Sequence, residues 1–413
     1  GAKVQNLLTK GSLNHLKHQL KKTPSQHFKE IQDVVELAQK KGIETNVYLE
    51  DWSNGMRNSR AYVFEFLEFL SKLPIKRIML PDTLGDLTPD EAYDYVLEIK
   101  TKYPHLHFDF HAHNDYDLSV SNVMEALKAG ADGLHLTVNG MGERAGNAPL
   151  ASVVAVINDF LPNIKISVNE KSLYTVSKLV ETFSGFIIPA NKPVIGANVF
   201  TQTAGIHADG DNKKNLYFND LLPERFGRKR EYALGKSSGK ANIQKNLQDL
   251  GLQLNDRDLK KVTQRIIELG DKKQVVTKED LPYIIAEVLD RYSAEEKVSV
   301  DSYVLTHSKG LRPSTTVAIT IKGEAFEVNA QGDGQFDAFM NAIRKVFKKK
   351  KLVLPDLVDY AVRIPPGSHS DALCETIITW KTPEKEFKTR GLDSDQAVSA
   401  IKATEKMLNI ITD

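Results

Sequence analysis

Five short apolar runs recur through the first third of this chain: VQNLL (4–8), TNVYLE (45–50), RIMLP (77–81), FDFH (108–111) and GLHLTVN (133–139). Amphipathic stretches lie between them. Two of these, TPSQHFKEIQDVVELAQKKG (23–42) and TPDEAYDYVLEIKTKY (88–103), open at Thr-Pro, a capping residue followed by proline at the first helical position. Strand and helix in alternation impose right-handed parallel βαβ units. Each run ends in polar, chemically capable residues: Thr9-Lys10, Glu50-Asp51, Asp82-Thr83, His111 with His113, and Asn139. Function gathered at the carboxyl ends of successive parallel strands is the habit of the TIM barrel, although a doubly wound sheet shows the same alternation. A barrel has eight strands, and five are counted before the pattern changes near residue 187. The expectation is therefore the C-terminal five βα units of a (β/α)8 barrel in residues 1–187, with three units upstream of Gly1.

From about residue 188 the chain turns rich in Gly, Pro, Asn and charge, which predicts a linker region over 188–296. It is expected to be extended at first, then to form helices around 237–251 and 255–292. From 297 to 413 the pattern is alternating strands (VSVDSYVLTHS, TTVAITIKG, EAFEVNAQG) and a helix (FDAFMNAIRKVFKK). It then repeats as LVDYAVRIP, LCETIITWK, EFKTRG and the helix DQAVSAIKATEKMLNII. Two βββα units in tandem predict a separate α+β domain, so the whole chain is an α/β protein with an α+β tail.

Composition narrows the function. A net charge of +1 speaks against nucleic acid and anionic membranes as partners, and no apolar run approaches the roughly 18 residues that span a bilayer. A single cysteine, Cys374, rules out an internal disulfide framework and fits the reducing cytoplasm. It reads as a small strand residue rather than a nucleophile. The basic cluster RFGRKR (225–230) reads as a solvated loop or one near ligand phosphates, and His15, His18 and His27 as surface residues without a role.

The stretch FDFHAHND (108–115) carries the most chemistry. Alternation puts His111 and His113 on one side of their strand, about 6.5–7 Å apart along it, so both can face one ion. The glycine-rich NGMGERAGN (139–147) follows the next run and falls at the same mouth. Two imidazoles with oxygen donors suit zinc, manganese or a similar divalent ion.

HAHND followed by NGMGERAGN resembles the DRE-TIM metallolyase superfamily, within it the α-isopropylmalate synthase-like Claisen condensing enzymes. The likeness continues through GIHADGDNKKNLY, ALGKSSGKANI, GDGQFDAFMNAI and HSDALCET, so it spans essentially the whole chain. NVYLEDWSNGMRNS, LPDTLGD and FHAHNDYDLSVSN are most similar to the (R)-citramalate synthases of that type. The resemblance implies condensation of acetyl-CoA with pyruvate, in isoleucine biosynthesis, by a cytoplasmic homodimer that needs a divalent metal (Zn, Mn or Mg). It implies metal ligation by His111, His113 and Asn147, and a ketoacid pocket lined by Tyr48 and Thr83. Glu50 becomes the acid/base. His207 and Tyr217 (catalytic) and Asn215 (substrate-binding) are implied to reach into the other subunit's site. The 297–413 domain becomes an allosteric sensor of isoleucine through Asp337, Ser370 and Asp371, residues of the turns GDGQFDAF and PPGSHSDAL. The family's first strand carries an Arg-Asp pair, the Asp a metal ligand and the Arg the anchor of the ketoacid. It has no counterpart in these residues, so the resemblance implies that the chain as given lacks two essential groups and is nearly inactive. Two alternatives stand beside this reading: a 2-isopropylmalate synthase, acting on 2-oxoisovalerate in leucine biosynthesis, and an inactive amino-acid-sensing fragment.

Overall fold

In the computed structural model the five runs form five parallel strands hydrogen-bonded in chain order: β1 (Val4–Lys10), β2 (Glu44–Glu50), β3 (Ile75–Asp82), β4 (Phe108–Ala112) and β5 (Gly133–His135). The structure describes residues 1–412 except 237, 250–251, 272–275, 277–279, 282–283, 286–287, 289–296 and 364–373. It comprises two compact units, Gly1–Phe200 with Phe218–Arg230, and Thr201–Tyr217 with Glu231–Asp413.

Both Thr-Pro signals start helices where expected, at Pro24–Lys40 and Pro89–Lys102. Thr23 and Thr88 each accept the third helical N–H while Gln26 or Glu91 reaches back to the cap, which satisfies donors a helix start otherwise leaves open. The sheet register pairs Lys10 with Glu50, Tyr48 with Met79, Pro81 with His111 and His111 with His135. Because side chains alternate across a strand, two faces follow. Val47, Leu49, Ile78, Leu80, Phe108 and Phe110 point one way and are buried in one apolar core with Ile31, Phe66, Val96 and Ile99 of the crossover helices. Burying side chains of this size contributes about 1.5–3 kcal/mol each, so the helix-facing layer holds the unit together. The opposite face carries Lys10, Glu50, His111 and His135 at one level, with Tyr48, Met79 and Asp109 one level below.

Two expectations fail in this unit. The GLHLTVN run was expected to be a strand through 139, but pairing stops at His135. Asn139 adopts φ +62° inside a 3-10 turn, so the chain leaves the sheet early to build the following loop. His27, expected at the surface, is 4% exposed, packs on Phe66 and accepts the Lys10 backbone N–H at Nε2, 3.2 Å away. The amphipathic period of the Pro24–Lys40 helix places it beside Ile31 on the buried stripe.

Burial lowers the pKa of His27 to about 4, with Glu30 opposing and Lys22 and Lys10 adding to the fall. The folded protein therefore refuses a proton that the unfolded chain accepts below about 6.5, and stability falls as pH drops from 6.5 towards 4. Between pH 7 and pH 5 this residue is expected to account for about 2 kcal/mol of lost stability. Urea unfolding at the two pH values should show that increment shrink in His27→Gln; an unchanged increment would rule His27 out as its source.

In the second unit, the region expected to be extended is more regular than its composition implies. A short parallel ladder joins β6 (Thr201–Gln202) to β7 (Glu231–Tyr232), and GIHADGDN forms the helix Gly205–Asn212. Helices follow at Lys240–Asp249 and Asp256–Asp271; much of the expected second helix beyond 271 lies outside the described residues. The tail is two antiparallel three-stranded sheets, β8 (Val298–Thr306), β9 (Ser314–Ile321) and β10 (Glu324–Gln331), then β11 (Asp356–Arg363), β12 (Cys374–Lys381) and β13 (Glu386–Asp393). Each sheet is followed by its helix, Gln335–Lys349 or Gln396–Ile411, and both halves share one core that includes Phe339, Trp380 and Met407. Cys374 is buried on β12, as a small strand residue should be. Among the described residues no helix is long and apolar enough to cross a membrane.

Candidate active site at the carboxyl ends of the strands

Strand β4 presents Asp109, His111 and, just past its end, His113 on the inner face. The two imidazoles meet edge to face, with ring centroids 5.1 Å apart. An isolated bridge between His113 and Asn147 draws the NGMGERAGN loop onto the end of β4. Glycine makes that path possible. A Cβ on Gly142 would collide with the Asn147 amide, and one on Gly146, at φ +86°, with the Gly140 carbonyl. Arg144 fixes the loop from above through two bonds to Asp115 (2.8 and 3.0 Å) and one to the Thr83 carbonyl (2.8 Å).

His111 Nδ1, His113 Nδ1 and Asn147 Oδ1 are all buried, and none has a hydrogen-bond partner among the described residues. The Asn147 amide nitrogen donates to Met141 O at 2.8 Å, which turns its oxygen away from that bond. Burial, helped by the neighbouring His113 and His135, lowers the pKa of His111 to about 4, and burial with Arg144 lowers that of His113. Two neutral imidazoles and an amide oxygen, each lacking a partner, form a donor set that fits a divalent cation. Among the described residues no group of three or more His, Cys, Asp or Glu is placed to hold a metal ion, here or elsewhere, so this set rests on two imidazoles and an amide.

Sequence reasoning left three participants without a role. His135 faces the same way as His111, with ring centroids 5.8 Å apart, and its Nδ1 lies 3.0 Å from the Tyr48 hydroxyl. Its Nε2 lies 3.3 Å from Asp109. Burial alone would raise the Asp109 pKa, but bonds to His135, His107 and Arg77 outweigh it and hold the carboxyl at about 2. The third is Lys10, whose ammonium lies on the Glu50 carboxylate. Period-2 alternation, read through FDFHAH and GLH, would have placed Asp109 and His135 on the histidine face. Tyr48 and Glu50 share the inner face of β2, and Thr83 follows β3, where its hydroxyl accepts the Asp51 N–H at 2.8 Å.

Residues 2–180 match the HMGL-like family, 194–274 the homocitrate synthase post-HMGL domain-like family, and 275–412 the LeuA allosteric (dimerisation) domain. A putative (R)-citramalate synthase of Archaeoglobus fulgidus is 33% identical over 92% of this chain and 76% of its own length. The chain belongs to the citramalate and isopropylmalate synthase family. Other members are the (R)-citramalate synthase of Methanocaldococcus jannaschii, 30% identical over 96% of this chain and 79% of its own, and a probable 2-isopropylmalate synthase of Methanopyrus kandleri, 30% identical over 96% and 78%.

The remaining residues singled out from the family likeness lie in the second unit. His207 and Tyr217 pack with ring centroids 4.3 Å apart and planes tilted by 37°, in room left by Gly210, where a Cβ would strike the Tyr217 ring. Asn215 follows at φ +56°. Asp337 is occupied by its own turn, accepting from Asp333 N at 3.0 Å and Asn341 at 3.2 Å, while Ser370 and Asp371 lie outside the described residues. Of the two readings of RFGRKR, a solvated loop or one near CoA phosphates, the first does not hold for its arginines. Arg225 pairs with Asp159 and Glu170, Arg228 lies over Tyr174 and Phe200, and Arg230 lies over Phe218.

Proposed function

We propose that this protein condenses the methyl carbon of acetyl-CoA with the keto carbon of pyruvate and releases (R)-citramalate and CoA. The observation that carries the reading is the unpaired buried set of His111 Nδ1, His113 Nδ1 and Asn147 Oδ1, on the strand-end face that also bears Glu50 and Tyr48. A divalent ion held by these three residues, zinc, manganese or magnesium, supplies Lewis acidity towards the ketoacid carbonyl. Glu50 takes a proton from the acetyl methyl group, and the resulting carbon nucleophile adds to the ketone. Water then cleaves the thioester. The Tyr48 ring, held by His135, walls the ketoacid pocket. Thr83 spends a lone pair on the Asp51 N–H and keeps its own proton for the ketoacid carboxylate.

Around that centre we place a cytoplasmic homodimer built through the LeuA-type domain, in which His207 and Tyr217 act, and Asn215 binds substrate, at the neighbouring subunit's site. Asp337, Ser370 and Asp371 serve isoleucine, the end product of the route citramalate opens. The 2-isopropylmalate synthase relative keeps one competing reading alive. CoA release by protein that also carries the family's first strands, with divalent metal, should be fastest with pyruvate and be lowered by isoleucine. Preference for 2-oxoisovalerate together with inhibition by leucine would make it a 2-isopropylmalate synthase instead.

A further inference from the structure

Lys10 is a lysine in an unusual place. Its side chain is 8% exposed, whereas lysines are almost never buried unless paired. Its ammonium contacts the Glu50 carboxylate across the β1–β2 register. The backbone on either side is pinned as well. The Lys10 N–H donates to His27 Nε2 at 3.2 Å, the Lys10 carbonyl accepts from the Tyr62 hydroxyl at 2.8 Å, and Gly11 N–H donates to Glu50 O at 2.6 Å. Gly11 is what lets the strands approach there, since a Cβ would fall 2.5 Å from the Leu49 carbonyl oxygen. Buried ion pairs are seldom better for stability than apolar residues of similar volume, so stability alone gives little reason for this one.

We propose that Lys10 is a positioning residue for Glu50. Its ammonium holds the carboxylate in one orientation on the strand-end face, and His27 and Tyr62 hold Lys10 in turn. Lys10 moves no proton itself; it removes the freedom Glu50 would otherwise have to turn away from the acetyl methyl group. The proposal rests on the reading of Glu50 as the base.

Two measurements test it, the kinetic one on protein that also carries the family's first strands, with divalent metal. In steady-state kinetics, Lys10→Met should lower kcat by up to about 100-fold, the scale of a misplaced reacting group, with KM for both substrates little changed. Lys10→Arg should recover most of the loss, and Tyr62→Phe should reproduce part of it. In a Glu50→Gln background Lys10→Met should add almost nothing, because there is no base left to position. Multiplying losses in the double variant, or an unaffected kcat in Lys10→Met, would overturn the proposal. The second measurement needs no turnover. Brief acetylation with acetic anhydride, read by peptide mass spectrometry, should spare Lys10 in the parent protein and modify it in Glu50→Gln. Labelling of Lys10 as fast as exposed lysines in the parent would overturn the contact itself. A Glu50→Gln variant that turns over normally yet exposes Lys10 would instead sink the base assignment while leaving the Lys10–Glu50 contact in place.

Discussion

In protein that also carries the family's first strands, replacing His111 and His113 together with alanine should reduce bound divalent metal from one per chain to none detectable by elemental analysis, and should abolish condensation. Each imidazole presents a buried nitrogen without a partner, and the two rings face one another edge to face 5.1 Å apart. Removing both leaves the Asn147 oxygen alone, and one neutral amide does not compete with water for a divalent ion. The loop around Asn147 is held by Arg144 and by the path its glycines allow, so it should keep its shape. An overlay of circular dichroism spectra would separate loss of metal from loss of fold. Full retention of metal in the double variant would remove the site from these residues.

Glu50→Gln should lower kcat by about 10²–10⁴, the usual contribution of a positioned acid/base, while KM for pyruvate stays within a few-fold. A base is needed chiefly in the transition state, whereas a binding carboxylate would show itself in KM. The substitution also leaves the Lys10 ammonium, in a side chain 8% exposed, facing a neutral amide. Unfolding midpoints should therefore fall as well, and kinetics should be taken well below the new midpoint. A variant with raised KM and normal kcat would make Glu50 a binding residue.

The sheet was legible because its signals are local and redundant. Two capping boxes, apolar alternation and polar strand ends all point to the same parallel units. The pair His111 and His113 was legible for the same reason, since two positions along one strand need no tertiary knowledge. Tertiary partners were not. His27 looked like one more surface histidine until a strand end two elements away proved to need an acceptor for the Lys10 N–H. The Tyr48–His135 contact joins residues 87 apart in sequence, and only the register of β2 through β5 brings them together. In the RFGRKR cluster, charge density was read without the acidic and aromatic residues that the fold delivers to it.

Arg144 ties together three separate crossovers, gripping Asp115 after β4 and the Thr83 carbonyl after β3 from its own loop after β5. The proposed ketoacid residue Thr83 and the loop that carries the proposed ion ligand Asn147 are thus tied through one side chain. A change that moves the Thr83 backbone would therefore pull on the Asn147 loop as well, whereas a change of side-chain volume on a strand would leave that tie alone.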